Sequence, residues 1–341
     1  MHLLSYLYGE FAKQRRRWYA SRPEARRRLT RPVISVGSLT IGGSGKTPVV
    51  AYIAKLLLTM GDRPSILSRG YARQSPEDGV VVVHDGVHLH ADLARAGDEP
   101  LMLARSMQGV VVLVSADRYL AGRLAEARFG CSVHILDDGF QHVILERDVD
   151  LLVLAADDLS GAEVLPAGRM RERLDAGALA DAVLVTSGSL SNAHEVSDKL
   201  GVSRVFQVGR ALGTPQMADS TGDANLAADA RVLAVAGIAQ PERFFDDLKS
   251  TDFTVVRTMT FPDHHPFSHR DVERIKREAR ADNVELVLTT EKDLVRLLPH
   301  QPMGIPLAWM PLIVRIEPPT EFKKWLQEHL SVARNHESFL V

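Results

Sequence analysis

The chain has 341 residues, 45% hydrophobic and 25% charged, with a formal net charge of −2. That length allows one large or two ordinary domains with a substantial core, and no stretch approaches the ~20 apolar residues of a membrane-spanning helix. The single cysteine, Cys131, excludes an internal disulfide framework and reads as a small packed hydrophobe.

Residues 1–31 come first and are unlike the rest. They carry nine Lys/Arg (Lys13, Arg15, Arg16, Arg17, Arg22, Arg26, Arg27, Arg28 and Arg31) against Glu10 and Glu24, so the segment is +7 and the remainder −9. Leu3, Leu4, Leu7, Tyr8, Phe11 and Trp18 recur at helical spacing. The basic residues follow the apolar ones, the reverse of a secretory signal. An aromatic, basic amphipathic helix suits an anionic membrane surface, each basic residue adding about 1 kcal/mol. A packing helix with a solvated basic face and a nucleic-acid arm are the alternatives, and no nucleic-acid module follows.

The run Val33-Ile-Ser-Val-Gly-Ser-Leu-Thr-Ile-Gly-Gly-Ser-Gly-Lys-Thr-Pro48 comes next. A β-branched stretch, a glycine-rich loop and an apolar helical pattern over 49–58 stand in the order a phosphate-binding P-loop requires. Its backbone N–H groups would close on phosphates, Lys46 would neutralise charge, and Thr47 would ligate Mg²⁺ at a helix N-terminus. The first glycine of the usual pattern falls at Thr40. Gly42 and Gly43 supply flexibility instead, and a glycine-rich turn before an ordinary helix is the bland alternative.

Apolar runs predict further strands at 65–68, 80–83, 110–115, 133–136, 151–154 and 182–186, with helical patterns at 48–60, 98–107 and 117–128. Continuously apolar strands alternating with helices indicate a doubly wound, mostly parallel α/β sheet with both faces covered. Residues 187–230 read as a connector with one short strand at 204–208. A second series follows: strand 232–236, helix 241–249, strand 253–257, helix 268–281, strand 284–289, strand 312–316 and helix 320–330. The expected organisation is a basic helical segment 1–31, a P-loop domain 32–200, a short β-linker 201–230 and a smaller α/β domain 231–341. The last residues, 335–341, read as a frayed tail.

The strand at 133–136 ends in Asp137 and Asp138, a Walker B arrangement able to deliver an acid to the Mg²⁺ held by Thr47. Gly139 permits the turn that brings both carboxylates round, and Gln141 and His142 follow toward the same cleft, His142 reading equally as a satisfied loop histidine. Asp98, in Ala96-Gly-Asp-Glu-Pro100, starts a helix and reads either as a cap or as a site carboxylate. Leu165-Pro-Ala-Gly-Arg169-Met-Arg-Glu-Arg173 places three arginines round Glu172, as a phosphate clamp or a solvated loop. Phe261-Pro-Asp-His-His265 reads by itself as a surface turn.

Together these pieces resemble the tetraacyldisaccharide 4′-kinase family, the lipid A 4′-kinases of Gram-negative bacteria. The resemblance rests on Gly42-Gly-Ser-Gly-Lys-Thr-Pro48, Leu67-Ser-Arg-Gly-Tyr71, Ala96 to Pro100, Leu136-Asp-Asp-Gly-Phe-Gln-His142, Leu165 to Arg173 and Phe261-Pro-Asp-His264, in the family's order. It implies transfer of the ATP γ-phosphate, with Mg²⁺, to the 4′-hydroxyl of a tetraacylated glucosamine disaccharide 1-phosphate at the cytoplasmic face of the inner membrane. Partners implied are that lipid and an anionic membrane surface, with no nucleic acid and no obligate protein partner.

The resemblance also implies roles. Thr40, Ile41, Gly42, Gly43, Ser44, Gly45, Lys46, Thr47 and Arg171 would hold nucleotide, and Thr47, Asp137, Asp138 and Glu172 the metal. Asp98 would be the base and His264 its partner, an imidazolium keeping the carboxylate ionised, with Lys46 the third catalytic group. Arg69, Tyr71, Arg118 and His142 would meet the acceptor. Asp98 and His264 fall in different domains, so the site must span both, and closure on ATP is expected. The rival enzyme reading is a GTPase or ATPase switch, for which Thr290-Glu-Lys-Asp293 comes within one residue of a base-reading motif. A nucleotide-binding membrane scaffold without chemistry is the remaining alternative.

Overall fold

The computed structural model describes residues 2–71, 73–159, 162–187, 190–219 and 229–337. Part of the expected linker (220–228) and the end of the expected tail (338–341) lie outside the described residues. After helix α1 (His2–Ala20), strand β1 (Val33–Gly37) leads into helix α2 (Lys46–Thr59). Then come β2 (Pro64–Ser68), β3 (Val81–Asp85), the one-turn helix α3 (Leu93–Ala96), α4 (Asp98–Ser106) and β4 (Val111–Val114). Helix α5 (Arg118–Phe129) is capped by the Asp117 side chain, which accepts from Leu120 N–H, and stops at left-handed Gly130. It is followed by β5 (Val133–Asp137), β6 (Val149–Leu154) and β7 (Ala182–Val185).

Residues 187–230 are not simply a connector. They contain helix α6 (Leu190–Leu200) and strand β8 (Val205–Leu212), which pairs parallel with β7. Ala193, Val196 and Leu200 of α6 pack on Leu152 and Val183. The polar composition that suggested a loop belongs to the solvent side of an amphipathic helix. Strand β9 (Gln216–Met217) already belongs to the second sheet.

That sheet is built from β10 (Arg231–Ala236), helix α7 (Pro241–Leu248), β11 (Thr254–Thr260), helix α8 (His269–Ala281), β12 (Leu286–Thr290), helix α9 (Glu291–Leu297) and β13 (Leu307–Met310). Its order is β11-β10-β12-β13-β9. The chain then returns. Strand β14 (Leu312–Glu317) pairs antiparallel with β8, and helix α10 (Pro319–Glu337) seats Phe322, Trp325, Leu326 and Leu330 in the larger core beside Phe206. The expected boundary at 231–341 is therefore corrected: from residue 312 onward the chain belongs to the larger unit. Helical spacing in α10 announced a buried face but could not say which core would receive it.

The larger sheet has nine strands in the order β14-β8-β7-β6-β1-β5-β2-β4-β3. Only the outer pairs β8–β14 and β3–β4 are antiparallel. On β2 and β5, Ile66 and Ile135 face α2 residues Val49, Val50, Ile53 and Leu57, whereas Leu67 and Leu136 face Ala121 and Ala125 of α5. Both faces are covered, which is why these strands read as unbroken apolar runs. The P-loop strand β1 lies between β5 and β6, parallel to both. The carboxyl end of β5 thus opens beside the loop after β1, where doubly wound sheets place ligands.

Candidate active site

The loop from Ser38 to Gly45 joins β1 to α2. Gly45, at φ 81°, takes the left-handed conformation that precedes the helix, which glycine adopts without the Cβ penalty. Gly37 is required for another reason: a Cβ there would stand 2.4 Å from Phe140 Cβ, so only glycine lets the Asp137–Phe140 turn sit against the P-loop strand. Lys46 Nζ donates to Ser44 Oγ at 3.2 Å and stands 3.5 Å from Asp138 Oδ1. Thr40 faces away from the cleft. It is buried, bonded to Ser38 Oγ and Asp158, and bridged to Met170. Its place in the pattern is to brace the loop.

The three arginines of 169–173 divide their work. Arg169 Nη2 donates to the Ile41 carbonyl and Arg173 pairs with Glu10 of α1. Only Arg171 reaches the cleft, where its Nη1 donates to Asp138 Oδ2 at 2.6 Å. Glu172 does not. Its two oxygens accept from Arg16 Nε and Nη2 at 2.8 Å each, it is buried, and it is absent from the cleft lining. The expected metal-ligand role of Glu172 is corrected on this ground, because both oxygens are taken by an arginine from α1. The same Arg16 donates to the Phe140 carbonyl and lies 4.5 Å from the Phe140 ring, so it clamps the turn that carries the acid pair.

Asp137 and Asp138 have been made different. Burial beside Glu99 and Asp138 pushes Asp137 up to about 7. Burial acts on Asp138 too, but Lys46 and Arg171 overcome it and hold that carboxyl below the usual range. Asp138 has φ 57°, a strained backbone for a non-glycine residue, and its buried Oδ1 has no hydrogen-bond partner. Thr47, Asp137 and Asp138 all line one cleft of about 1450 Å³ between the two sheets.

The opposite wall comes from the smaller unit. His264 Nδ1 lies 2.8 Å from Asp98 Oδ2, joining the loop after β11 to the start of α4. His264, too, has a positive φ of 57°. Asp98 is 5% exposed; its Oδ1 accepts from Glu99 N–H, and His264 and Glu99, not Asp98, surface the cleft. Burial disfavours the charge on Asp98, yet His264, Lys292 and Arg296 outweigh it and keep the carboxyl below its ordinary value. Tyr71 sits edge-on to His264 at 5.6 Å.

Arg69, Arg118 and His142 also line the cleft. Arg118 is buried, and burial together with Arg69 lowers it to about 10. Burial and the cations Arg118, Arg147 and Arg15 push His142 down to about 4, so it is neutral near pH 7. Sequence reasoning missed Glu99, Lys292 and Arg16. The pattern Thr290-Glu-Lys-Asp293 held the signal for Lys292 but suggested a base-reading loop. It is instead the β12–α9 junction, where Thr290 caps α9 and the buried Asp293 is held by Gly237 N–H and Arg296. Asp293 is fully buried and absent from the cleft lining, so it is not placed to read a nucleotide base, and that part of the switch reading is corrected.

A family model described as tetraacyldisaccharide-1-P 4′-kinase matches residues 1–331. The tetraacyldisaccharide 4′-kinase of Koribacter versatilis is 39% identical over 303 residues, spanning 87% of this chain and 88% of the relative. That of Geobacter sulfurreducens is 39% identical over 304 residues, spanning 88% and 84%. Among solved structures, LpxK from Aquifex aeolicus in complex with ATP superposes with a TM-score of 0.79 at 32% identity, covering 96% of this chain and 97% of that one. Fold, cleft and relatives agree, and the chain belongs to the tetraacyldisaccharide-1-P 4′-kinase family.

Proposed function

We propose that this cleft transfers the γ-phosphoryl group of ATP to the 4′-hydroxyl of a tetraacylated glucosamine disaccharide 1-phosphate, a step of lipid A biosynthesis. The observation that carries the reading is the Asp98–His264 hydrogen bond, which sets a proton-accepting pair across a cleft from a P-loop lysine. The residues suit a magnesium–nucleotide. Asp138 Oδ1 is buried and makes no hydrogen bond, with the Lys46 ammonium at 3.5 Å. Burial beside two other carboxylates pushes Asp137 up to about 7, so both acids favour a further cation. Thr47, Asp137 and Asp138 would hold the metal, and the amides of 42–47 with Lys46 and Arg171 the phosphates. Bound Mg²⁺ supplies neutralisation of the charge that develops on the phosphates.

The chain's own groups do the rest. Lys46, Arg171 and Arg118 offer positive charge where the transferring group passes, and Arg69, Tyr71 and His142 line the approach of the acceptor. The hydroxyl proton is accepted by the Asp98–His264 pair, joined by the 2.8 Å hydrogen bond. The exposed apolar face of α1 rests on an anionic lipid surface, the cytoplasmic face of the inner membrane, where the acceptor resides. Leu3 is 71% and Phe11 68% exposed while Ser5 and Gly9 form the packed side. Among the described residues no helix is long and apolar enough to cross a membrane.

The test is ADP release from ATP or GTP, with and without the 1-phosphorylated acyl disaccharide. ADP is expected from ATP only when the acceptor is present, with one phosphate gained by the lipid. Hydrolysis at the same rate without acceptor, or with GTP as the better donor, would favour the switch reading.

A further inference from the structure

Helix α9 reaches across the seam from the smaller unit with Lys292 and Arg296, one turn apart, on the side facing α4. Lys292 Nζ lies 3.1 Å from His264 Nε2, 3.1 Å from Glu99 Oε1 and 3.5 Å from Asp263 Oδ1. Arg296 Nε stands 3.7 Å from Asp98 Oδ2, the same oxygen that meets His264 Nδ1. Thr290 and Asp293 fix the first turn of α9, so the lysine is delivered by a capped helix start rather than by a loose loop.

An ammonium has three donors and no acceptor. The ring nitrogen it faces at 3.1 Å must therefore present a lone pair, which leaves the single ring proton on Nδ1, pointing at Asp98. We infer that Lys292 is a positioning residue that locks His264 in the neutral Nδ1–H tautomer. This rests on the proposed role of the Asp98–His264 pair. It also replaces the imidazolium expected from sequence by a neutral ring. The consequence is chemical: a carboxylate beside a neutral N–H donor keeps more basicity than one beside a full positive charge. The lone pair of Nε2 faces the Lys292 ammonium, and Lys292 itself is anchored by Glu99 and Asp263.

The groups facing His264 are Asp98 and Glu99 from α4, Asp263 from its own loop, Tyr71 from the segment after β2, and Lys292 and Arg296 from α9. The test uses the full chain with ¹⁵N-labelled histidine, His264 being assigned by its loss in His264→Gln. Long-range ¹H–¹⁵N spectra at neutral pH are expected to show a protonated Nδ1 and a bare Nε2 in the wild type and in Lys292→Arg. In Lys292→Met the ring is expected to take a proton on Nε2. kcat/KM should fall at least about tenfold in that variant, with the acid limb of its pH profile moved upward and Lys292→Arg largely restored.

A wild-type ring bare at Nδ1 or protonated at both nitrogens would overturn the inference, as would a Lys292→Met ring and acid limb identical to wild type. Full turnover in Asp98→Ala would instead overturn the proposed function. The tautomer spectra would still decide the role of Lys292.

Discussion

Lys46 stands between Ser44 and Asp138 within the P-loop, while Asp98 is buried behind His264 on the opposite wall. These positions assign different magnitudes. Phosphoryl transfer draws most of its acceleration from positioning and charge neutralisation, and loss of a general base often costs only 10²–10⁴-fold. Lys46→Ala is therefore expected to lower the single-turnover rate at least as far as Asp98→Ala, and the reverse order would contradict this ranking. Placement within one local motif was legible from sequence: bringing Gly42–Thr47 and Asp137-Asp138 to one cleft needed only a strand, a turn and a helix start. Glu172 was not, because the arginine that satisfies it lies 156 residues away on α1. Lys292 was misread because its neighbours fit a base-reading pattern, and only the partners of Asp293 exclude it.

The seam between α4 and α9 shows what elements add. Glu291, at the first position of α9, is pushed up to about 7 by burial against Lys55 and Ser106, which only partly offset it. A raised acid favours folding at low pH. Its stabilising neutral form is retained below the ordinary glutamate range, about 4.5, and is lost as pH climbs through about 7. Glu291→Gln is therefore expected to gain stability over wild type by roughly 2 kcal/mol at pH 8 and by little at pH 5. Thermal melts of both proteins at the two pH values check this, and an equal difference at both would contradict it. Helix α9 itself was hidden, since seven residues are too few for a periodic pattern. Helix α6 was hidden by its polar face, whereas α2 and α8 announced themselves by length and, in α8, by the Ser268 capping box.

At the scale of the whole molecule, the chain leaves the larger sheet after β8 and re-enters it at β14, so the smaller unit is tethered by two neighbouring strands. Alternating strands and helices made the α/β architecture legible. The return was not, because antiparallel pairing of segments a hundred residues apart leaves no local trace. Helix α1 lies on the larger unit with its apolar face outward, and Arg16 ties it to the acid-bearing turn. Removing the helix would damage that turn as well, so the informative change is Leu4→Ser with Leu7→Ser and Phe11→Ser. It should raise KM for acceptor in anionic vesicles severalfold while leaving KM for a water-soluble analogue unchanged; equal effects on both would make α1 a packing helix only. The central claim is that two units supply one proton-accepting pair to one nucleotide cleft. A double-mutant cycle on single-turnover transfer with Asp98→Ala, His264→Ala and the double variant measures it directly. Strong non-additivity, the double variant little slower than the slower single one, is the expected result. Losses that multiply would show two residues acting independently and would contradict it.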